Sequence, residues 1–228
     1  MPAQPPVIAV DGPSASGKGT VAQGVAKALG FHYLNSGALY RTVALAVMRR
    51  GVNQENELTI SDIALNLKAE FSGDHVLLDG GEVTDAIRSE AIGTLASRIA
   101  ELRPVREALL DRQRGFRQPP GLVADGRDMG TVVFPDAALK IYLTATPEER
   151  AARRHKQLMG KGMSANMAAL LKDIRARDAR DSERAAAPLK KAADAVLVDT
   201  TRIPAAEAIA QVLALYKQAP RRHEPHPG

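Results

Sequence analysis

The first patterned stretch is an apolar run, Val7-Ile-Ala-Val10, which reads as a buried strand ending at Asp11. Val21, Val25 and Leu29 then share one helix face that stops at Gly30, so residues 7–30 predict a strand, a loop and a helix. Phe31-His-Tyr-Leu34 reads as a short second strand. A second helix follows through Val43, Val47 and Met48, with Ser36 as its expected N-cap and Gly51 as its stop.

The pattern changes over residues 59–103. A short helix starting at Thr59 carries Ile63 and Leu67. Alternating segments at 69–72, 75–78 and 82–84, separated by Gly73-Asp74 and Gly80-Gly81, predict a small antiparallel meander, and a helix over 89–102 closes the stretch. It reads as an insertion between two parts of an α/β domain. Beyond it, Val105, Leu109 and Phe116 mark a helix over 104–116, and residues 122–125 and 139–143 are core strands. Thr146-Pro147-Glu148-Glu149 is a capping box with proline at the first helical position. That helix breaks at Gly160-Lys-Gly162, and Ser164 is expected to cap a long helix to about residue 186. Residues 195–198 are the last strand and 204–218 the last helix. The proline- and histidine-bearing residues 219–228 predict a disordered tail.

Strand and helix alternate outside the insertion, which predicts a parallel sheet covered on both faces. Ligands of open α/β sheets bind at the carboxyl ends of the strands.

Composition narrows the function classes. A chain of 228 residues suits one embellished domain or two small ones, and a hydrophobic share of 45% supports a sizeable core. With no cysteine, disulfides and cysteine-ligated metals are excluded. Neither a signal-peptide pattern nor an apolar run of membrane-spanning length is visible, so a cytoplasmic protein with no membrane partner is expected. The net charge of +5 invites a nucleic-acid reading. However, Lys217, Arg221 and Arg222 against Glu224 supply part of it, and an aromatic content of 4% leaves few stacking platforms. The remaining arginines fall in short clusters, which suits a small polyphosphate better than nucleic acid.

Chemistry concentrates where the first strand meets the first helix. Gly12, Pro13, Ser14, Ala15, Ser16, Gly17, Lys18, Gly19 and Thr20 form a phosphate-cradling loop: two glycines four residues apart and a lysine directly after the second. Glycines let the backbone turn its N–H groups toward phosphates, the helix adds its positive end, and Lys18 adds a mobile charge. The strict motif has Ser or Thr after the lysine; here Gly19 intervenes before Thr20.

Asp125 ends a strand where a carboxylate can hold Mg²⁺ or its waters, and it can equally cap the next turn. Arg127 follows, suited to a second phosphorylated substrate or to an ion pair with Asp128. Arg177, Asp181 and Arg184 are spaced to share one helix face, and Arg150, Arg153 and Arg154 precede a glycine break as an arginine-bearing cover would. Solvated, ion-paired helix faces account for both clusters as well.

Four stretches together are similar to bacterial cytidylate kinases of the long type. They are Asp11-Gly-Pro-Ser-Ala-Ser-Gly-Lys-Gly-Thr20, Asn35-Ser-Gly-Ala-Leu-Tyr-Arg41, Leu122-Val-Ala-Asp-Gly-Arg-Asp-Met-Gly-Thr-Val-Val-Phe-Pro135 and Arg177-Asp-Ala-Arg-Asp-Ser-Glu-Arg184. Asn35 stands where the family pattern has Asp. The resemblance implies an α/β P-loop three-layer fold with a central parallel sheet. It also implies a small inserted α+β subdomain near 59–103 and a helical lid near 150–168, all within a kinase domain over 1–218. It implies transfer of the ATP γ-phosphoryl group to CMP or dCMP, with Mg²⁺; a monomer is expected. By matching position, Ser36, Ser97, Arg106 and Asp128 would approach the nucleoside, and Arg41 and Arg127 the acceptor phosphate. Arg177, Asp181 and Arg184 would contact the pyrimidine nucleotide, and Arg153 would belong to the lid. Lys18, Arg127, Arg153 and Arg184 would be the catalytic cations, while Thr20 and Asp125 would hold the metal through water. The residues alone leave open a P-loop kinase for UMP, AMP or a non-nucleotide, and a non-enzymatic nucleotide- or nucleic-acid-binding module.

Overall fold

The computed structural model describes residues 4–72, 75–160, 162 and 164–219. The predicted Gly73-Asp74 turn, the lysine of the Gly160-Lys-Gly162 break and the predicted tail from residue 220 onward lie outside them. The chain divides into two compact units. The first takes residues up to 34, 117–183 and those from 187 onward; the second takes 35–116 and 184–186. The insertion expected at 59–103 falls inside the second unit.

The first unit holds a five-stranded sheet in the order β2-β6-β1-β7-β8. Its strands are β1 (Val7–Asp11), β2 (His32–Asn35), β6 (Leu122–Gly126), β7 (Leu139–Thr144) and β8 (Val196–Asp199). Central β1 pairs in parallel with β6 on one side and β7 on the other, and β7 pairs in parallel with β8. Both β1 and β6 are buried along their whole length, as continuous apolar runs in a parallel sheet should be. From β1 the chain crosses by α1 (Lys18–Leu29) to one side of the sheet, and from β6 it crosses to the other. The carboxyl end of β1 is therefore a topological switch point. Val21, Ala22 and Val25 of α1 pack with Ile8 and Val10 of β1, together with Ala208 and Val212 of α8 (Ala205–Gln218). The unit is completed by α6 (Pro147–Met159) and α7 (Met167–Glu183).

The second unit has its own core. Its helices are α2 (Ser36–Arg49), α3 (Glu57–Leu65), α4 (Glu90–Ile99) and α5 (Arg103–Arg114). Its antiparallel sheet runs β3 (Ala69–Ser72), β4 (His75–Leu78) and β5 (Gly81–Glu82), so the meander's third strand lies slightly before the expected 82–84. Leu39, Val43 and Val47 of α2 meet Ile60, Ile92, Ile99 and Leu109 in one apolar cluster.

Two expected caps and one expected helix start are corrected, each toward asparagine. Asn35, not Ser36, caps α2: its side chain accepts the Ala38 N–H at 2.9 Å. α3 begins at Glu57, two residues ahead of the expected Thr59, and Asn56 caps it, accepting from Thr59 N at 3.1 Å. Asn166, not Ser164, accepts the Ala169 N–H at the start of α7. An asparagine carbonyl reaches the third following N–H as a serine hydroxyl does, and local backbone geometry decides between adjacent candidates. The long helix ends at Glu183, so Arg184 lies past its end and outside the helix face assigned to it.

Asn35→Ala should cost about 1 kcal/mol and lower Tm by roughly 2–4 °C, checked by calorimetry. An unchanged Tm would mean that Asn35 does not cap α2.

Candidate functional site

The phosphate loop is pinned at its root and contorted at its turn. A Cβ built at Gly12 would stand 2.0 Å from the Leu143 carbonyl oxygen, so no other residue fits there. Ala15 and Gly17 adopt left-handed backbone, with φ of 57° and 90°. Gly17 tolerates this freely, whereas Ala15 is strained, as residues in ligand clamps often are. Gly17 caps α1, its carbonyl accepting the Val21 N–H at 3.0 Å. Lys18 folds back over the loop and donates to the Pro13 carbonyl at 3.3 Å.

A cavity of about 690 Å³ opens beside the loop. One wall is residues 15–21, Thr20 included; Glu149, Arg153, Lys156 and Gln157 of α6 form another. Thr200, Ile203, Pro204, Ala205 and Ala208 form the third, largely apolar. The volume and the mix of charged and apolar walls suit a nucleotide.

The α6 arginines divide. Arg153 donates to Ser16 O at 3.1 Å and to Thr200 Oγ1 at 3.0 Å, joining the loop to the end of β8. Arg150 is instead buried in an ion pair with Asp178 of α7, and also donates to the carbonyls of Ser14 and Ala145. It braces the loop from behind. Arg154 donates to Gln157 on its own helix.

A second group of charges surrounds Lys18. Burial pushes the Lys18 ammonium down to about 7, and the charges of Arg127 and Arg177 add to this; Asp125 and Asp181 oppose it. Arg127 donates from Nε to Asp181 Oδ2 at 2.7 Å. Burial disfavours the Arg127 charge most strongly, yet Asp181, Asp125 and Asp11 outweigh it and hold the guanidinium above its usual range. The loop, Asp125, Arg127, Arg177 and Asp181 thus form one electrostatic cluster in the first unit, where the sequence placed them in separate motifs. Asp128, also buried, precedes a one-turn π-type helix, Met129–Val133.

Asp125 is held by Tyr33, whose OH donates to its Oδ2 at 2.6 Å. Among the described residues no three His, Cys, Asp or Glu side chains group as metal ligands. One oriented carboxylate fits a hard cation that keeps water and nucleotide oxygens as its other ligands. It is Gly19, not Thr20, that faces this carboxylate, since a Cβ at Gly19 would lie 3.3 Å from Asp125 Oδ2. Thr20 is exposed and lines the cavity.

The second unit carries the other expected contacts. Ser36 is buried and donates to Gln113 Oε1 at 3.0 Å. Arg41 donates to the carbonyls of Ile87 at 2.7 Å and Ser89 at 3.1 Å. A Cβ at Gly93 would come within 2.5 Å of Arg41 Nη2, so this glycine makes room for the guanidinium. Ser97 is buried on α4 with its hydroxyl unpaired among the described residues, and Arg106 donates to the Ala100 carbonyl at 3.2 Å. Arg184 belongs to this unit too. Tyr33, Gln113, Gly93 and Thr200 gave no signal in one sequence, because their roles depend on partners distant along the chain.

A phosphate loop at the switch point of a parallel sheet, with cations gathered on the loop lysine, places the molecule among the P-loop kinases. The comparisons narrow the class. A family model described as cytidylate kinase matches residues 8–218. A cytidylate kinase of Burkholderia ambifaria is 59% identical over 212 residues, 93% of each chain. That of Nitrosomonas europaea is 55% identical over 94% of this chain and 96% of its own. The chain belongs to the cytidylate kinase family. An uncharacterized protein of Eubacterium ventriosum shares the fold at a TM-score of 0.52 and 10% identity, covering 93% of this chain and 98% of its own.

No helix among the described residues is long and apolar enough to cross a membrane.

The lowered Lys18 pKa gives a signed expectation. Polyphosphate favours the ammonium, so ATP binding above pH 7 should take up protons, approaching one per site by pH 8. Calorimetry in two buffers of different ionisation enthalpy measures this; zero uptake at pH 8 would contradict the Lys18 environment. In the free protein the same group lowers stability below about pH 7, and that cost fades as pH rises toward 10.5.

Proposed function

We propose that the protein transfers the γ-phosphoryl group of ATP to CMP or dCMP, releasing ADP and CDP or dCDP. The observation that carries this is the phosphate loop, with its nucleotide-sized cavity and surrounding cations, in a chain of the cytidylate kinase family along nearly its whole length. The loop amides and Lys18 hold the donor phosphates, and the apolar wall at Ile203, Pro204 and Ala205 receives the donor base. Arg153, tied to the loop through Ser16 and Thr200, is the cation we assign to neutralise charge on the transferring group. We assign the chain over about 150–168 to a lid that excludes water.

The acceptor falls to Arg41 and Arg127 at its phosphate and to Ser36, Ser97, Arg106 and Asp128 at its base. Arg177, Asp181 and Arg184 contact the pyrimidine nucleotide from the lid side. A phosphate oxygen of CMP attacks the γ-phosphorus as the bond to the β-bridging oxygen breaks, and ADP leaves. The acceptor is already an anion, so positioning and charge neutralisation suffice without a general base. Mg²⁺ would be held by Asp125, oriented by Tyr33, with Thr20 at the cavity wall; when bound with ATP it neutralises phosphate charge.

The test is ADP formation from Mg·ATP with CMP, dCMP, UMP and AMP offered separately. Turnover confined to the cytidine nucleotides is expected, and turnover only with UMP or AMP would overturn the base-reading residues. Lys18→Ala should lower kcat by about 10²-fold or more with Tm preserved; full activity would refute the assignment. Arg127→Lys keeps a partner for Asp181 but loses the planar fork, so the CMP KM should rise about tenfold while the ATP Kd holds. Equal losses for both nucleotides would contradict the acceptor role.

A further inference from the structure

Asp11 is a buried charge to which the mechanism above gives no task. It ends β1, and both its carboxylate oxygens are taken by backbone: Oδ1 accepts the Met129 N–H and Oδ2 the Gly130 N–H, each at 2.8 Å. These are the first two residues of the π-type turn, whose early N–H groups have no partner within the turn itself. The Asp11 main chain is also in register with Gly126 in the β1–β6 pairing. One residue thus holds both flanks of Arg127-Asp128, through strand register on one side and through its side chain on the other. Its next neighbour along the chain is Gly12, the root of the phosphate loop.

The chemistry requires an aspartate. An asparagine would turn an N–H₂ toward one of the two backbone donors, and a serine offers a single short-reaching oxygen. The charge is not easily kept: burial pushes the Asp11 carboxyl up to about 6, with the two N–H groups and Arg127 pulling it down and Asp128 pushing it up. At neutral pH it remains the double acceptor that the geometry uses. The turn is tightly seated as well, since a Cβ at Gly130 would stand 3.1 Å from the Lys140 stem and 3.4 Å from Asp11 Oδ2.

We propose that Asp11 is a positioning residue for phosphoryl transfer, clamping the Met129 and Gly130 amides so that Arg127 and Asp128 keep a fixed place relative to the phosphate loop. The inference rests on the reading of Arg127 as an acceptor-phosphate contact. In-line transfer is sensitive to displacements of about 1 Å, so a loosened clamp acts on turnover and acceptor use and leaves donor binding in place.

Asp11→Asn tests this, because it keeps size and one acceptor. kcat should fall about 10- to 100-fold and the CMP KM should rise severalfold, while the ATP Kd stays within about threefold. The Met129 and Gly130 amide protons should shift upfield and exchange faster. Unchanged kcat and CMP KM would overturn the proposal; so would ATP binding lost in step with turnover and folded fraction, the mark of a merely structural residue. If the variant does not fold, amide exchange in the native protein decides. Met129 and Gly130 protected like β1 support the clamp, and exchange as fast as exposed loop amides overturns it. A wild type that binds ATP yet phosphorylates no CMP would instead overturn the acceptor reading, and the exchange measurement would still judge the clamp.

Discussion

The nucleotide side of the molecule depends on one close approach, that of the Gly12 backbone to the Leu143 carbonyl. The strand-to-loop transition has no room for a side chain there, which locks the root of the phosphate loop to the end of β7. The strained Ala15 and left-handed Gly17 can then turn the loop backbone inward, because their conformational cost is met by a scaffold that cannot yield. Arg150, Arg153 and Thr200 brace the same loop through the carbonyls of Ser14 and Ser16.

That rigidity brings cations together, which is costly without a ligand. Burial is the largest cause that brings the Lys18 ammonium down to about 7, and repulsion from Arg127 and Arg177 adds to it. Asp125, Asp181 and Asp11 hold the balance: two act on Lys18 and all three support the charge on Arg127. The carboxylates interspersed among the arginines are therefore the counter-charge that makes a buried polyphosphate site tolerable in the free protein. The Arg150–Asp178 pair belongs to the framework, which is why an arginine count overstates the number available to substrate.

The second unit solves a separate problem with a separate core. Its helices and small sheet bury their own apolar cluster, and polar contacts within the unit join residues distant in the chain: Ser36 to Gln113, and Arg41 to the carbonyls before α4. Gly93 shows how closely this is packed, since its missing side chain is the space that Arg41 fills.

The sequence by itself determined the elements and the chemistry whose signals are local. The run before Asp11, the glycine spacing, Lys18 and the helix face of Val21 and Val25 specify strand, phosphate loop and helix, because backbone conformation and periodic burial are written in neighbouring residues. The N-cap at Thr146 was legible for the same reason, its side chain accepting the Glu149 N–H, although the Thr146 N–H goes to Thr201 rather than back to Glu149 as a full capping box would have it. Adjacent candidates such as Asn35 and Ser36 were not separable, since both side chains can reach an orphan N–H and only the backbone path chooses. Tertiary structure alone decided which charges meet. That Arg150 is a brace and Arg127 a partner of Asp181, that Tyr33 orients Asp125 and that Asp11 holds Met129 and Gly130 all depend on strands adjacent in the sheet but more than ninety residues apart in the chain, or on helices packed from elsewhere. Electrostatics and hydrogen bonding act through space, and a single sequence records a residue's type without its distances.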